Sequence, residues 1–371
     1  MPWDNAQSFL YVLLAAALAP IVAGTIGARI RGFVLPVVVV EIVLGFIIGP
    51  QGLGIAEVHD VLTAFSNLGL GFLFFFAGYE IRMREIKGEP LKLAAWGWIL
   101  SLVLAYSLAG ILEASGLVLS GLLTGTALAT TAIGTLIPVL RDENLLGGNF
   151  GRHILAIGAV GEFGPILIVT ILLTAKHGAA EQVALLIAFV LIALLIGKLA
   201  TGSSPRWLGF VNARMENSGQ LPVRLTVLLI FGLVIIAGTL GMDVILGAFA
   251  AGMILRVLIG EGEAQLFDTK MEAVGFGFLI PFFFIVSGMN LDLEALFAAT
   301  HPVARLGIFF LLMLVVRGVP ELLLYRRAIP REQRPALAVL ASTQLPLVVA
   351  IAAIGLDSGE RVRERIVESE A

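Results

Sequence analysis

The sequence contains no cysteine and is poor in charge, with 14% Asp, Glu, Lys and Arg against 58% hydrophobic residues in 371 positions. The absence of cysteine excludes disulfides and thiolate metal sites. Soluble domains carry about a quarter charged residues, so this chain has too few to cover a water-exposed surface. No basic patch indicates nucleic acid binding, and no cofactor is predicted. None of the four histidines lies beside a membrane-embedded serine or carboxylate in an arrangement that indicates hydrolysis. The composition therefore predicts a polytopic membrane protein that is not an enzyme.

Twelve apolar stretches are long enough, or nearly so, to span a bilayer as helices. The longest polar stretch, about 201–224, is predicted to be a linker. The whole chain, 1–371, is therefore interpreted as a single transmembrane domain without a soluble regulatory domain. The stretches are approximately 8–27, 33–49, 62–79, 93–112, 117–140, 153–174, 182–202, 224–240, 243–259, 273–288, 303–325 and 335–355.

The distribution of Lys and Arg between the stretches predicts the orientation of the chain, because cytoplasmic loops retain positive charge. Each loop takes the number of the apolar stretch that precedes it. The even-numbered loops hold only Lys176 and Arg305, and the odd-numbered loops hold all the other loop Lys and Arg residues before residue 335. This alternation places the N-terminus outside the cell. Twelve crossings would leave the basic tail around Arg361, Arg363 and Arg365 outside as well, against the rule. The tail thus indicates that a thirteenth helix is missing from this chain.

Glu162 is the first candidate functional residue, because a charged group at mid-membrane is costly and usually marks a transport pathway. It follows Arg152 by ten residues, or about 15 Å at the helical rise. The surrounding sequence, Gly158-Ala159-Val160-Gly161-Glu162-Phe163-Gly164, is rich in small residues that let neighbours or an ion come close. Such a carboxyl group can exchange a proton between the two sides. The alternative is a structural ion pair that holds two helices together.

Thr130 and Thr131 lie at a similar depth in the preceding stretch, in Thr130-Thr131-Ala132-Ile133-Gly134-Thr135 before Pro138. Thr and Gly are poor helix formers, and Pro removes a backbone hydrogen bond. A helix interrupted here exposes carbonyl and hydroxyl oxygens, which suit a hard cation. The alternative is that each hydroxyl bonds back to its own helix.

A second interruption follows in Ser342-Thr343-Gln344-Leu345-Pro346, one stretch after Arg317. Two interrupted helices at equal depth, one in each half, indicate a transporter site built from inverted repeats. The buried Arg317 requires an anion, and Glu162 is the expected partner. The alternative is that Arg317 extends to the membrane surface. The repeat also lacks a counterpart of the Glu162 helix, which is the helix that the charge distribution requires.

Several ordered motifs together resemble the second monovalent cation:proton antiporter family, which includes Kef-type and bacterial sodium/proton exchangers. Each motif is loose alone, but their order over residues 8 to 355 is specific. They are Arg31-Gly32-Phe33-Val34-Leu35-Pro36 with Glu41 to Gly54, Gly71 to Glu80, Pro138-Val139-Leu140-Arg141-Asp142 with Gly151-Arg152, Leu246 to Gly252, and Pro281 to Phe284 with Gly288, Met289 and Asp292.

The resemblance implies an all-α fold of thirteen helices in two inverted repeats with two broken, crossing helices. It implies a core domain from helices at about 93–174 and 303–355 and a dimerisation domain from the remaining helices. The protein is then expected to be a homodimer in the cell (inner) membrane. Glu162 takes the position of the family's ion-binding carboxylate, Thr130 and Thr131 the unwound segment, and Arg317 the basic position. The family usually has Asp, Asn or Gln where this chain has Gly161, and a charged stretch where it has Thr343 and Gln344.

The residues and the resemblance together predict exchange of a monovalent cation, Na⁺ or K⁺, for H⁺ at Glu162. Because Gly161 leaves one carboxylate in place of a pair, one-for-one electroneutral exchange is expected. Two alternatives remain. One is a non-transporting membrane sensor or subunit derived from such an exchanger. The other is a sodium-coupled organic-anion symporter of related architecture.

Overall fold

The computed structural model describes a series of helices, and no strand occurs in the described part of the chain. The described residues are 3–29, 35–81, 86–132, 140, 145, 148–173, 184–185, 187–189, 191–193, 195–196, 198, 220–240, 244–259, 264–291, 302–344, 348 and 351. The α-helices are α1 Trp3–Arg29, α2 Val37–Ile48, α3 Asp60–Tyr79, α4 Glu89–Ala114, α5 Gly121–Leu128, α6 Gly148–Leu173, α7 Leu221–Thr239, α8 Val244–Leu258, α9 Ala264–Val274, α10 Ile280–Met289, α11 Pro302–Met313, α12 Val319–Leu324 and α13 Arg334–Ala341.

Seven helical segments in the described part of the chain are long and apolar enough to cross a membrane. They correspond to seven of the predicted stretches, and α2 and α8 are shorter apolar helices at two more. The prediction of an all-α polytopic membrane protein is confirmed. The stretches at 117–140, 182–202 and 335–355 lie partly outside the described residues, so the expected number of helices stays a prediction.

Among the described helices, one begins more than two turns before the predicted start of its apolar stretch. The stretch predicted to begin at 273 belongs to a helical segment that begins at Ala264 and continues to Met289. Its first part carries Asp268, Lys270 and Glu272, which a search for apolar residues passes over. The helix therefore begins in a polar amphipathic turn before it becomes apolar.

Two helical segments contain a π-helical turn, at Gly275–Leu279 and at Leu314–Gly318. In each case a proline follows two residues later, Pro281 and Pro320. Because proline has no N–H and its ring displaces the carbonyl four residues earlier, the wider turn accommodates it without ending the helix. The second π-helical turn contains Arg317, which is one reason for the position of that side chain.

The chain divides into two compact units. The first unit comprises Met1–Phe75, Leu199–Phe231 and Val257–Pro302. Within it α2 and α10 cross closely, since Gly45 and Gly288 have no side chain at the contact. A Cβ at Gly45 would overlap the backbone carbonyl of Ile285, and a Cβ at Gly288 that of Ile42. An apolar core that includes Leu62 covers the same crossing.

The second unit comprises Phe76–Lys198, Gly232–Arg256 and Val303–Ala371, and it contains every predicted site residue. Its helix α4 buries a face of small residues, among them Ala94, Gly97, Ser101 and Ala105. Small residues let helices in a membrane approach closely. The remaining helices of this unit build the site described below. The assignment of 93–174 and 303–355 to a moving core stays a prediction.

Candidate functional site

The two interrupted helices end in the same way. Helices α5 and α13 both have eight residues and end at Leu128 and Ala341. The residues that follow, Ala129 and Ser342, both have φ −87° and ψ 4°. After each of them the chain leaves the helix, as the sequence predicted for both places. The two halves of the chain thus repeat one local structure.

Each non-helical segment caps the helix of the other half. The Thr131 hydroxyl donates to the carbonyl of Ala341 at 2.6 Å, and the Gln344 amide nitrogen donates to the carbonyl of Leu128 at 2.8 Å. The last carbonyls of a helix have no partner within it, and burying them unpaired is costly. The exchange of caps therefore binds the two helix ends together, and the two segments cross.

A backbone hydrogen bond joins the crossing segments directly, from the Ala132 N–H to the Thr343 carbonyl at 2.7 Å. A further carbonyl at the end of α5, that of Ala129, accepts the indole N–H of Trp98 at 3.1 Å. Thr343 thus acts through its backbone, whereas Gln344 acts through its side chain. The carbonyl oxygen of the buried Gln344 amide has no hydrogen-bond partner within the described residues.

Helix α6 approaches this crossing at Gly161, whose carbonyl accepts the Thr131 N–H at 3.0 Å. A Cβ at position 161 would lie 2.8 Å from the Thr131 hydroxyl oxygen and 3.0 Å from Nη2 of Arg317. The absence of a side chain is therefore what allows Thr131 and Arg317 to reach the helix. Glu162 is the next residue of α6 and is buried, with 6% exposure.

Arg317 is almost fully buried at 1% exposure and connects three helices. Its Nε donates to the Thr131 hydroxyl at 2.8 Å, and its Nη1 donates to the Ser101 hydroxyl of α4 at 3.1 Å. The alternative of an arginine that extends to the membrane surface is therefore wrong. The negative ends of the α5 and α13 dipoles meet close to this guanidinium, and a cation is favoured there.

Glu321 is a buried carboxylate that the sequence analysis missed. It lies 4.0 Å from Nη1 of Arg317, and both side chains are inaccessible to solvent. The signal was available, because residues four apart on a helix are neighbours and Glu321 follows Arg317 at that spacing. Ser101 was also missed, since a single serine in an apolar stretch attracts no attention. The expected pairing of Arg317 with Glu162 stays a prediction.

The two threonines have different partners. The Thr130 hydroxyl donates to the carbonyl of Ala127 at 2.8 Å, the local bond that the sequence analysis held open as an alternative. The Thr131 hydroxyl both donates to Ala341 and accepts from Arg317. A hydroxyl oxygen has two lone pairs. Within the described residues no group donates to Thr130, so both of its lone pairs remain for a ligand, whereas Thr131 has already used one of its own.

The structure thus brings together Thr131, Gly161, Arg317, Thr343 and Gln344 by direct contacts, with Glu162 and Thr130 adjacent in sequence to two of them. Paired helix ends that cross inside a membrane, beside buried charged side chains, define the class of secondary ion transporters. Comparison with known proteins gives the family. The description "sodium/hydrogen exchanger, transmembrane" matches residues 13–368, and the chain belongs to that family.

Individual relatives agree with this assignment. The chain is 28% identical over 377 residues to the putative Na(+)/H(+) antiporter YjbQ of Bacillus subtilis, a match that covers 96% of the chain and 58% of the relative. It is 26% identical over 357 residues to the glutathione-regulated potassium-efflux protein KefC of Klebsiella pneumoniae, covering 90% of the chain and 52% of the relative. The chain thus spans little more than half the length of these two proteins. The predicted resemblance to this family is confirmed, and the named relatives are an antiporter and an efflux protein rather than enzymes.

A solved structure shares the fold. The sodium proton antiporter MjNhaP1 from Methanocaldococcus jannaschii at pH 8 superimposes with a TM-score of 0.64, covering 94% of this chain and 86% of that one, at 15% identity. At this identity the likeness concerns the fold alone. It confirms the predicted sodium/proton-antiporter-like architecture.

Proposed function

We propose that this chain is a secondary active transporter that exchanges a monovalent cation, Na⁺ or K⁺, for H⁺ at Glu162. The observation that carries the proposal is the contact of Gly161 with Thr131, which puts Glu162 beside two crossing helix ends. A hard cation prefers oxygen ligands, and we expect the Thr130 hydroxyl and the side-chain carbonyl of Gln344 to join Glu162 in supplying them. Thr131 mainly holds the crossing and Arg317 in place.

Competition between cation and proton for one carboxylate couples the two fluxes. Ionised Glu162 binds the cation, and protonated Glu162 is neutral, so either occupied form crosses the membrane without an uncompensated charge. The empty ionised form is costly to move through a low-dielectric interior. Arg317 stabilises that empty form while it waits for a ligand. The protein therefore moves only when it is loaded, which is the requirement for exchange.

One-for-one exchange follows from the same residues. Glycine at position 161 leaves Glu162 as the one carboxylate of its pair. The Arg317 guanidinium does not lose its proton. A single titrating group at the ion-binding position carries either one proton or one monovalent cation. The rate of exchange at fixed pH and cation gradients is therefore expected to be the same with and without an imposed membrane potential.

The topology and assembly belong to the same proposal. The N-terminus lies outside the cell (inner) membrane, as the distribution of Lys and Arg predicts. Helices outside 93–174 and 303–355 form a dimerisation domain, and the transporter is a homodimer. Cross-linking of single cysteines introduced into the naturally cysteine-free chain tests both points, by labelling from one side and by formation of dimers.

Cation-driven proton flux in reconstituted vesicles tests the main claim. E162Q keeps the size of the side chain but cannot ionise, so it is expected to exchange no faster than empty vesicles. E113Q makes the same chemical change at an exposed position of α4 and is expected to keep the parental rate. Exchange by E162Q at the parental rate would exclude Glu162 as the shared site.

A further inference from the structure

Four buried polar atoms near one end of the second unit have no hydrogen-bond partner among the residues that the structure describes. They are both carboxyl oxygens of Glu321, the hydroxyl oxygen of Tyr325 and Nε2 of His153. Protein interiors leave few such atoms unpaired, and several in one place indicate bound water or a functional role. The exchange cycle proposed above uses none of these three residues.

These side chains form a continuous row. Arg317, Glu321 and Tyr325 are spaced at i, i+4 and i+8, so they share one face over about 12 Å of helix. The Tyr325 ring meets the His153 ring of α6 edge to face, with 5.6 Å between centroids. The row begins beside the exposed Arg152 and Arg326 and ends at the Arg317–Thr131 hydrogen bond. It therefore leads from the surface to the crossing of the two helix ends.

One hydrogen bond of His153 determines which ring nitrogen carries the hydrogen. Its Nδ1 lies 2.7 Å from the carbonyl oxygen of Asn149. A carbonyl only accepts, so Nδ1 carries the hydrogen, and Nε2 of the neutral ring presents a lone pair. This lone pair is buried next to Tyr325, where it can accept a hydrogen bond from water.

The contact between Glu321 and Arg317 is too long for a fixed ion pair. Their atoms are 4.0 Å apart, whereas Arg317 makes true hydrogen bonds to Thr131 and Ser101. A buried ion pair stabilises a protein only when short hydrogen bonds compensate for the lost water. A carboxylate without them is costly to bury, and the neutral protonated acid costs much less. The geometry thus favours Glu321 as an acid that gains and loses a proton.

In the part of the chain that the structure describes, the other helices around Glu321 bring no competing charge. From α4 it faces Gly97, where an added Cβ would lie 3.1 Å from its Oε1, with uncharged Ala94 and Ser101 on either side. From α13 the buried residues are apolar, and Arg334 is held by the carbonyls of Ile329 and Arg326. The titratable or charged groups that face Glu321 are therefore Arg317 and Tyr325 on its own helix, with His153 beyond Tyr325.

We propose that Glu321 is a second proton-binding group of the transporter, linked to water through Tyr325 and His153, which delivers protons to the crossing where Glu162 lies. One proton moves in each transfer. Within the described residues no hydrogen bond joins these side chains directly, so water molecules connect them. A hydrated proton reaches the Tyr325 oxygen through water at His153 while the Tyr325 hydrogen moves through another water molecule to the ionised Glu321, which leaves Tyr325 and the water neutral. The inference rests on the proposed exchange, but the protonation of Glu321 does not require transport to be observed.

Infrared spectroscopy of the purified full chain detects a protonated carboxyl group directly, by a carbonyl band that shifts in deuterated water. E321Q is expected to lose one such band while E162Q keeps it. The Tm of E321Q is expected to stay close to that of the parent, because Gln resembles the protonated acid. If E321Q keeps the band and its Tm falls strongly, Glu321 is a fixed counter-ion of Arg317 and the proposal is overturned.

Transport gives the second readout. E321Q is expected to lower the exchange rate by about 100-fold, the lower end of the range for loss of a positioned acid–base group, and Y325F is expected to lower it as well. E332Q, at an exposed position of the loop after α12, is the matched control and is expected to keep the parental rate. Parental rates in both E321Q and Y325F would also overturn the proposal.

Two further variants keep the outcomes distinct. If E321Q does not fold, E321D still titrates, and its acid band is expected to shift in frequency rather than disappear. The E321Q and E162Q variants can also give opposite answers. If the acid band is lost in E321Q while E162Q exchanges at the parental rate, Glu321 is supported as a second proton site and the proposed exchange at Glu162 is excluded. The two proposals therefore fail separately.

Discussion

Thr131 and Gln344 occupy equivalent positions in the two halves of the chain, three residues beyond the ends of α5 and α13, and each caps the other's helix. Thr131 donates to Ala341 at 2.6 Å and Gln344 donates to Leu128 at 2.8 Å. This reciprocity is what keeps two interrupted helices together inside an apolar unit. It joins them next to Gly161, the residue that precedes the buried Glu162.

The two threonines are expected to respond differently to replacement by valine. T131V removes the cap of Ala341 and the acceptor of Arg317 Nε, and we expect it to lower the free energy of unfolding by about 2–4 kcal/mol. T130V removes one local bond and is expected to cost about 1 kcal/mol or less, but to weaken cation binding. Thermal unfolding in detergent and cation titration measure the two effects. Equal loss of stability in both variants would contradict the different roles given to the Thr130 and Thr131 hydroxyls.

The reciprocal caps are expected to be energetically coupled. T131V and Q344L each loosen the same crossing, so the double variant should lose less stability than the two single variants combined, by about 0.5–3 kcal/mol. A double-mutant cycle of unfolding free energies measures this difference. Strict additivity would mean that the two caps hold their helices independently.

Gly161 is expected to tolerate no side chain. In G161A the new methyl group meets Thr131 and Arg317, and overpacking of this kind costs about 1–3 kcal/mol. Gly110 of α4 is the control, because a Cβ there has nothing within 4 Å, and G110A is expected to be neutral or slightly stabilising. Tm values of the two variants make the comparison. A G161A protein as stable as G110A would show that Thr131 and Arg317 do not need this close approach.

Arg317 is expected to require its guanidinium and not only its charge. R317K keeps the charge but cannot reach Thr131 and Ser101 together with the same planar group. We expect a fall in both Tm and exchange rate, larger than that of S101A, which removes a single hydrogen bond worth about 1 kcal/mol. An R317K protein that matches the parent in both measurements would show that only the positive charge of Arg317 is required.

The sequence alone predicted the all-α membrane class, both helix interruptions and the residues that meet there, because each depends on a local signal. Proline, threonine and small residues disfavour a continuous helix, and a charge in an apolar stretch is conspicuous. The partners of these residues could not be predicted in the same way. Thr131 and Ala341 are 210 positions apart, and nothing local specifies that one caps the other.

Glu321 shows a different limit of the sequence analysis. It lies near the end of its apolar stretch, where a carboxylate usually reaches water, so its position suggested nothing unusual. The structure buries it because Gly97 leaves space on α4 and the π-helical turn before Pro320 sets the direction of that helix face. Burial of that kind depends on a neighbouring helix and is not visible in the residue's own segment.

The most direct test of the central claim is proton release on addition of cation to the purified protein in weakly buffered detergent solution. If cation and proton share Glu162, Na⁺ or K⁺ is expected to release protons from the parent and from E113Q, and none from E162Q. The release should diminish at higher pH, where Glu162 is already ionised. Cation binding without proton release in the parent, or undiminished release in E162Q, would contradict exchange at this carboxylate.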